Sequence, residues 1–316
     1  MRPLVSVVIP AYDPGNFIDA SVGSALSQSI GDLEVIVVND GSTDDTAECL
    51  SSWSDPRLRV ITGAHCGLAS ALNTAIRASR GQYIAFLDAD DIWMPGKLAR
   101  HLRVLESQPD VDVTFSWLSV IDRDGKLTPM PCPRWRGRIS FSQLLVDYTI
   151  RTMSAVVMRR AAAERAGMFN PDLVRCVDFE FFLRVACLRP NNICSVPEVL
   201  SLYRRHEKQR TSDWRLMQEG WNQLLSLTRR HAPEETAVVE KRASSNMHRY
   251  FAAVAYQSGS FADSFRLIRE SFGLSPIAFF RDSRNWIMTA VALSGLTLPK
   301  RALLACERIA GFQRSA

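Results

Sequence analysis

Tyr83-Ile84-Ala85-Phe86-Leu87-Asp88-Ala89-Asp90-Asp91 decides how this chain is read. An apolar, strand-like stretch ends abruptly in three carboxylates within four positions. Two unit charges about 4 Å apart repel by roughly 4 kcal/mol at an effective dielectric of about 20. A cation at the strand end relieves that repulsion. Hard divalent ions such as Mg²⁺ or Mn²⁺ take oxygen ligands, often one or two carboxylates together with substrate phosphates. The alternative is a solvated acidic turn ahead of a helix that Pro95 opens.

The sequence on either side repeats one pattern. Val5 to Ile9 is a β-branched run closed by Pro10, Leu33 to Val38 runs into Asn39-Asp40-Gly41-Ser42, and Leu58 to Thr62 is a third strand. Helices are expected over 17–28 with Asn16 as cap, from Ser42 or Thr43 to about Trp53, over 67–79, and from Pro95 to Ser107. Val111 to Trp117 reads as a fifth strand. Strands alternating with helices imply an α/β fold, a mostly parallel sheet with helices on both faces. Ligands of such sheets bind beyond the carboxyl ends of the strands. Tyr12 and Asp13, Asp40, and Asp88 to Asp91 all fall at such ends, so residues about 50 apart in sequence converge on one expected site.

The pattern changes after residue 118. Ile121 to Gly125 reads as a hairpin turn and 129–138 as a loop rich in Pro and Arg. A strand is expected over 154–158, a helix over 179–188 headed by Asp178 and Glu180, and a strand over 198–203. Beyond His206 the chain reads as helical, near 212–230, 236–257, 261–271 and 276–293, with a hairpin turning at Gly259-Ser260. The domains expected are 1–206 and a C-terminal helical region, 207–316.

The chain has 316 residues, 47% apolar and 22% charged, enough for one large folded domain and a smaller one. Its seven cysteines form no C-x-x-C pair, which suggests neither a zinc site nor a disulfide framework. A reducing cytosol is the expected compartment. The apolar run after Met1 is short and Pro10 ends it, unlike a signal peptide. The longest apolar window, Trp286 to Leu298, is too short to span a bilayer. Charge is uneven: residues 1–206 hold 22 Lys+Arg against 23 Asp+Glu, a net of −1, and 207–316 hold 16 against 10, a net of +6. A basic tail region points to an anionic surface.

The chain resembles the inverting family 2 glycosyltransferases, which have the GT-A fold and bind nucleotide-diphosphosugars. The resemblance rests on Ser6 to Tyr12, Val37 to Asp44, Gly81 to Asp91, Val177 to Arg184 and Tyr203 to His206. It covers about residues 4–206. It implies a nucleotide site formed by Pro10, Ala11, Tyr12, Asp40, Asp88 and Ala89. Tyr12 would stack on the base, and Asp40 would accept the uracil N–H, as an acceptor-only carboxylate can. Asp88 would contact the ribose or the metal. Asp90 would ligate Mn²⁺ or Mg²⁺, with His206 completing the metal site or touching the diphosphate. Asp91 would support the turn. Asp178 would be the catalytic base, with Glu180 the second choice; the competing reading of Asp178 is a cap for the helix from Phe179. Arg204 and Arg205 are candidate diphosphate contacts. Trp93 would line the acceptor side or pack in the core.

The expected partners are a UDP-sugar or dTDP-sugar donor and a saccharide or lipid-linked acceptor, in surface polysaccharide or glycolipid assembly. No nucleic-acid partner is expected. A peripheral contact at the inner face of the cytoplasmic membrane is, with oligomeric state left open. Two departures stand out. Val177 precedes Asp178 where the family often has Glu, and His65-Cys66-Gly67 with Ala71-Leu72-Asn73 replace Asn-x-Gly and Ala-Arg-Asn. Leu72 thereby removes a cationic donor contact. Other classes are a catalytically silent nucleotide-sugar binder on the same fold, and a nucleotidyltransferase or Rossmann dehydrogenase. The single glycine of Tyr12-Asp13-Pro14-Gly15-Asn16 disfavours the last two.

Overall fold

Four short apolar runs build one half of the sheet: β1 (Val5–Ala11), β2 (Leu33–Asn39), β3 (Leu58–Thr62) and β4 (Tyr83–Phe86). β1 pairs with β2 and β4, and β2 with β3, all parallel. The crossovers carry helices α1 (Ile18–Leu26), α2 (Thr46–Ser51) and α3 (Leu68–Ala78). β1, β2 and β4 are buried almost throughout, as strands covered on both faces must be. The computed structural model describes residues 2–130, 132, 134–206 and 213–297. Contacts divide the chain into two compact units, residues 1–144 with 148–205, and 145–147 with 206–316.

The other half of the first unit's sheet is mixed. It contains β5 (Ile92–Trp93), β6 (Val113–Ile121), β7 (Arg138–Ile139), β8 (Val156–Arg159) and β9 (Ile193–Arg204), with α4 (Lys97–Ser107), α5 (Phe141–Asp147), α6 (Arg160–Arg165) and α7 (Val177–Leu188) between them. The strand order is β3-β2-β1-β4-β8-β6-β9-β5, with β7 on β9. β8 lies antiparallel between β4 and β6, while β6 and β9 are parallel. The strand expected over 111–117 is therefore β6, one position removed from β4. The antiparallel direction brings the residues leading into β8 to the carboxyl end of β4. There the Asp88 N–H donates to Ser154 Oγ at 2.9 Å.

Several helix starts differ from the sequence expectation. Phe17, not Asn16, is the N-cap of α1, because the first turn closes on the Pro14 carbonyl. Gly96, in the left-handed region at φ 75°, starts α4, so Pro95 precedes the helix. In the second unit, Asp213 caps α8 (Trp214–His231) by accepting the N–H groups of Arg215 and Leu216. α9 (Pro233–Gln257) and α10 (Phe261–Leu274) form the expected hairpin across Gly259, at φ 79°. The single helix expected over 276–293 is two, α11 (Pro276–Arg281) and α12 (Ser283–Thr297). The backbone extends at Asp282, whose carboxylate accepts the Arg284 N–H at 3.0 Å. Among the described residues no helix is long and apolar enough to cross a membrane.

Candidate active site

The strand order places the ends of β2, β1 and β4 side by side. Two strand spacings of about 4.8 Å separate β2 from β4 along that edge. Ala11, at the end of β1, accepts the Asp40 N–H at 2.8 Å. The Asp40 carboxylate accepts N–H groups from Cys66 at 2.8 Å and Gly67 at 2.9 Å, which fixes the loop entering α3. His65 Nδ1 lies 3.0 Å from the same carboxylate, and the His65 ring packs on Tyr12 with centroids 4.1 Å apart. Tyr12 is still 52% exposed, so its ring presents a flat aromatic surface beside Asp40. Gly41 sits at φ 76°, and a Cβ there would meet the His65 nitrogen at 2.8 Å. Only glycine lets the 65–67 loop come this close.

Neighbouring carboxylates lock this edge. Asp13 accepts the Thr43 N–H at 2.7 Å. Asp44 accepts the Gly15 N–H at 2.8 Å and the Thr46 hydroxyl. Burial opposes charge on Asp44, but the Thr46 and Gly15 donors outweigh it and hold the carboxyl below its ordinary range.

The Asp88 turn is held differently. Thr152 Oγ1 lies 2.8 Å from Asp88 Oδ2 and 3.2 Å from Asp91 Oδ2. One hydroxyl proton thus faces two carboxylates. Burial, and then the charge of Asp90, push Asp88 up to about 7, with Asp178 adding to the rise. Asp91 is wholly buried and is pushed well above its ordinary range by burial and by the charges of Asp90 and Asp88. It accepts the Arg204 N–H at 2.8 Å, which ties the end of β9 to the turn. Ala89 is buried between these carboxylates.

Asp178 lies in the first turn of α7, whose N-cap is Cys176. It is therefore not the cap of that helix, contrary to the competing reading. The Tyr148 hydroxyl donates to Asp178 Oδ2 at 3.1 Å, and the Tyr148 ring packs on Phe179 with centroids 4.3 Å apart. The charge of Asp178 is felt at Asp88, so the α7 start and the β4 end face one region. Glu180 points elsewhere: it is buried and paired with Arg184, which also donates to the Met168 carbonyl at 2.6 Å. Burial, then Asp178, raise the Cys176 thiol to about 12, so it carries no thiolate at neutral pH.

Two of the candidate contacts lie in the interior. Arg204 is 4% exposed, and it donates to the carbonyls of Asp90 at 2.8 Å and Arg123 at 2.7 Å, with its guanidinium over Phe17. Its charge clasps the turn from within. Trp93 is 3% exposed and donates to the Ser154 carbonyl at 2.8 Å, so it belongs to the core and not to an acceptor surface. Leu72 is likewise fully buried. Asn73 exchanges two hydrogen bonds with the Phe169 backbone, at 2.8 and 2.9 Å. Arg205 reaches the Met130 sulfur at 3.8 Å. His206 is grouped with the second unit. Thr152, Ser154 and Tyr148 were not singled out by the sequence; no local signal marks them, because their partners are 30 or more residues away.

Comparison with known proteins supplies the family. Residues 6–167, half of the chain, match the model of "Glycosyl transferase family 2". Chondroitin synthase of Escherichia coli is 34% identical over 200 residues, 61% of this chain but only 28% of that one. The E. coli UDP-Glc:alpha-D-GlcNAc-diphosphoundecaprenol beta-1,3-glucosyltransferase WfgD is 29% identical over 195 residues, 61% of this chain and 73% of its own. Among solved structures, S. aureus TarS 1-349 in complex with UDP-GlcNAc superposes with a TM-score of 0.64 at 15% identity, covering 91% of this chain and 90% of that one. That likeness shows a shared GT-A-type fold. The chain belongs to glycosyl transferase family 2.

Proposed function

We propose that the first unit transfers a sugar from a UDP-sugar to an acceptor hydroxyl, with inversion at the anomeric carbon. The observation that carries this reading is the sheet edge where the ends of β2, β1 and β4 lie side by side and bring Asp40 and the Asp88 turn to one side, with Asp178 adding to the rise at Asp88. Tyr12 stacks on the base, and Asp40, held by the 65–67 loop, accepts the uracil N–H. Pro10, Ala11 and Ala89 shape the floor. The acceptor hydroxyl gives its proton to Asp178 as its oxygen bonds to the anomeric carbon. The bond from that carbon to the diphosphate breaks on the opposite face, and its electron pair leaves with UDP. Tyr148 holds the Asp178 carboxylate in one orientation. A positioned base of this kind contributes roughly 10²–10⁴-fold.

The donor set suits Mn²⁺ or Mg²⁺. Asp90 and Asp88 offer hard oxygen ligands, and among the described residues no group of three or more His, Cys, Asp or Glu forms a complete cage. A site of one or two carboxylates, finished by substrate phosphates, is the usual form for Mg²⁺. Bound there, the ion would neutralise charge on the departing diphosphate. The sugar is a hexosyl or N-acetylhexosaminyl group, and the acceptor a lipid-linked saccharide met at the cytoplasmic face of a membrane. Relatives named for UDP-Glc with a diphosphoundecaprenol acceptor, and for chondroitin synthesis, support that choice.

The test is release of the nucleoside diphosphate, UDP or dTDP, from a panel of UDP- and dTDP-sugars with Mn²⁺, on wild type and Asp178→Asn. Wild type should release UDP from at least one donor, and the variant should fall by about 100-fold or more. Release that is absent for every donor, while UDP still binds, would favour a silent nucleotide-sugar binder.

A further inference from the structure

The last two described helices of the second unit are apolar on both sides. Asn285, Met288 and Ala292 turn one face of α12 into that unit's interior. The opposite face carries Trp286, Ile287, Ala290 and Leu293, all exposed, at spacings of one helical side, and Leu296 is exposed beside the buried stripe near the helix end. α11 extends the patch with Ile277, 70% exposed, and Phe280, 57% exposed. Trp286 is 48% exposed and Ile287 54%, and the Phe280 and Trp286 rings pack at 5.2 Å. A surface helix ordinarily turns charged residues outward, and contiguous exposed apolar area marks an interaction surface.

The border of the patch is basic. A cleft of about 530 Å³ beside it is lined by Arg242, Arg281 and Arg284 with Asp147 and Asp282. Asp282 is already neutralised by Arg249 at 2.9 Å and Arg284 at 2.6 Å. Arg242 and Arg281 are exposed and make no ion pair among the described residues. The sequence that follows α12, residues 298–316, adds four basic residues against one acidic. In a two-fold dimer the patch would meet itself and bring like charges together. An anionic bilayer takes the apolar face and the arginines at once, which is how interfacial helices with aromatic and basic residues bind.

We propose that the α11–α12 face docks on an anionic membrane surface, its apolar side chains entering the headgroup boundary and Arg281 and Arg242 meeting lipid phosphates. This holds whatever sugar the first unit transfers, and its test needs no activity. The full chain is floated with vesicles of equal parts phosphatidylglycerol and phosphatidylcholine, and with phosphatidylcholine alone. Capture should occur on the anionic vesicles at about 0.1 M salt and weaken strongly at about 1 M, where the Debye length falls to about 3 Å. Phe280→Glu/Ile287→Glu should abolish capture with circular dichroism unchanged. Arg281→Gln should weaken it about fivefold, one basic residue near such a surface being worth about 1 kcal/mol. Four results would overturn the proposal. They are no capture of wild type, equal capture by phosphatidylcholine alone, full capture of Phe280→Glu/Ile287→Glu, or a wild-type dimer in sedimentation that this double variant dissolves.

Discussion

The two halves of the sheet meet at the Asp88 turn, yet they treat their carboxylates in opposite ways. On the β1–β2 side, Asp13, Asp40 and Asp44 each accept main-chain N–H groups from a neighbouring loop. The Thr46 and Gly15 donors on Asp44 outweigh its burial and hold it below its ordinary range. On the β4–β8–β9 side, Asp88 and Asp91 share one Thr152 hydroxyl and are both raised. The difference teaches that the first edge is built complete and the second is built short of positive charge. The first suits recognition of a neutral base. The second suits a cation and a reacting diphosphate.

That contrast can be broken at several points. The largest effect is expected from Asp90→Ala, which should weaken Mn²⁺-dependent UDP binding by about 100-fold, since even indirect partners of a metal site change affinity about 10–100-fold. Calorimetry with and without Mn²⁺ reads it, and equal affinity in all four titrations would leave no metal role. Next, Thr152→Val removes the hydroxyl that half-buried Asp88 and buried Asp91 share. It should cost about 2 kcal/mol of stability without metal, and less with Mn²⁺. Urea unfolding under both conditions sharpens the comparison, and an identical loss in both would contradict a charge-deficient edge. Tyr148→Phe should lower kcat about tenfold or more while KM stays put, because a hydrogen bond to a charged group is lost without altering donor contacts. A raised KM with unchanged kcat would place Tyr148 in binding instead.

The smallest effect concerns a buried group behind the second edge. Lys97 is wholly buried, its Nζ 3.0 Å from His101 Nε2 and 5.4 Å over the Trp93 ring. Burial pushes its pKa well below 10.5. Between the folded value and 10.5 the unfolded chain holds one more proton, so stability rises with pH there, by no more than about 1.4 kcal/mol per unit. Lys97→Met should flatten that rise between about pH 8.5 and about pH 9.5 in denaturant titrations. An unchanged slope would mean that Lys97 is charged in the fold.

The first half of the sheet was legible because its signals are local. β-branched runs closed by Pro10, by Asn39-Asp40-Gly41 and by Asp88 announce both the strands and the side chains at their ends. The second half was not. Nothing near Val156 says that β8 enters antiparallel between β4 and β6, because pairing across about 40 to 75 residues leaves no mark on local periodicity. Thr152, Ser154 and Tyr148 read as ordinary loop residues, since only their distant partners give them a role. Arg204 misled because a buried guanidinium on carbonyls and an exposed one on a phosphate look alike in sequence. The break at Asp282-Ser283 did carry a signal, a capping residue ahead of a new helix, hidden inside a long apolar stretch.

The most direct test of the division between a recognition edge and a reaction edge is UDP titration, in Mn²⁺, of Asp178→Asn beside Asp40→Ala. Asp178→Asn should bind UDP as wild type does although its transfer has fallen about 100-fold, and Asp40→Ala should bind at least about tenfold more weakly. An Asp178→Asn variant that loses UDP affinity as Asp40→Ala does, or an Asp40→Ala variant that binds UDP normally, would contradict it.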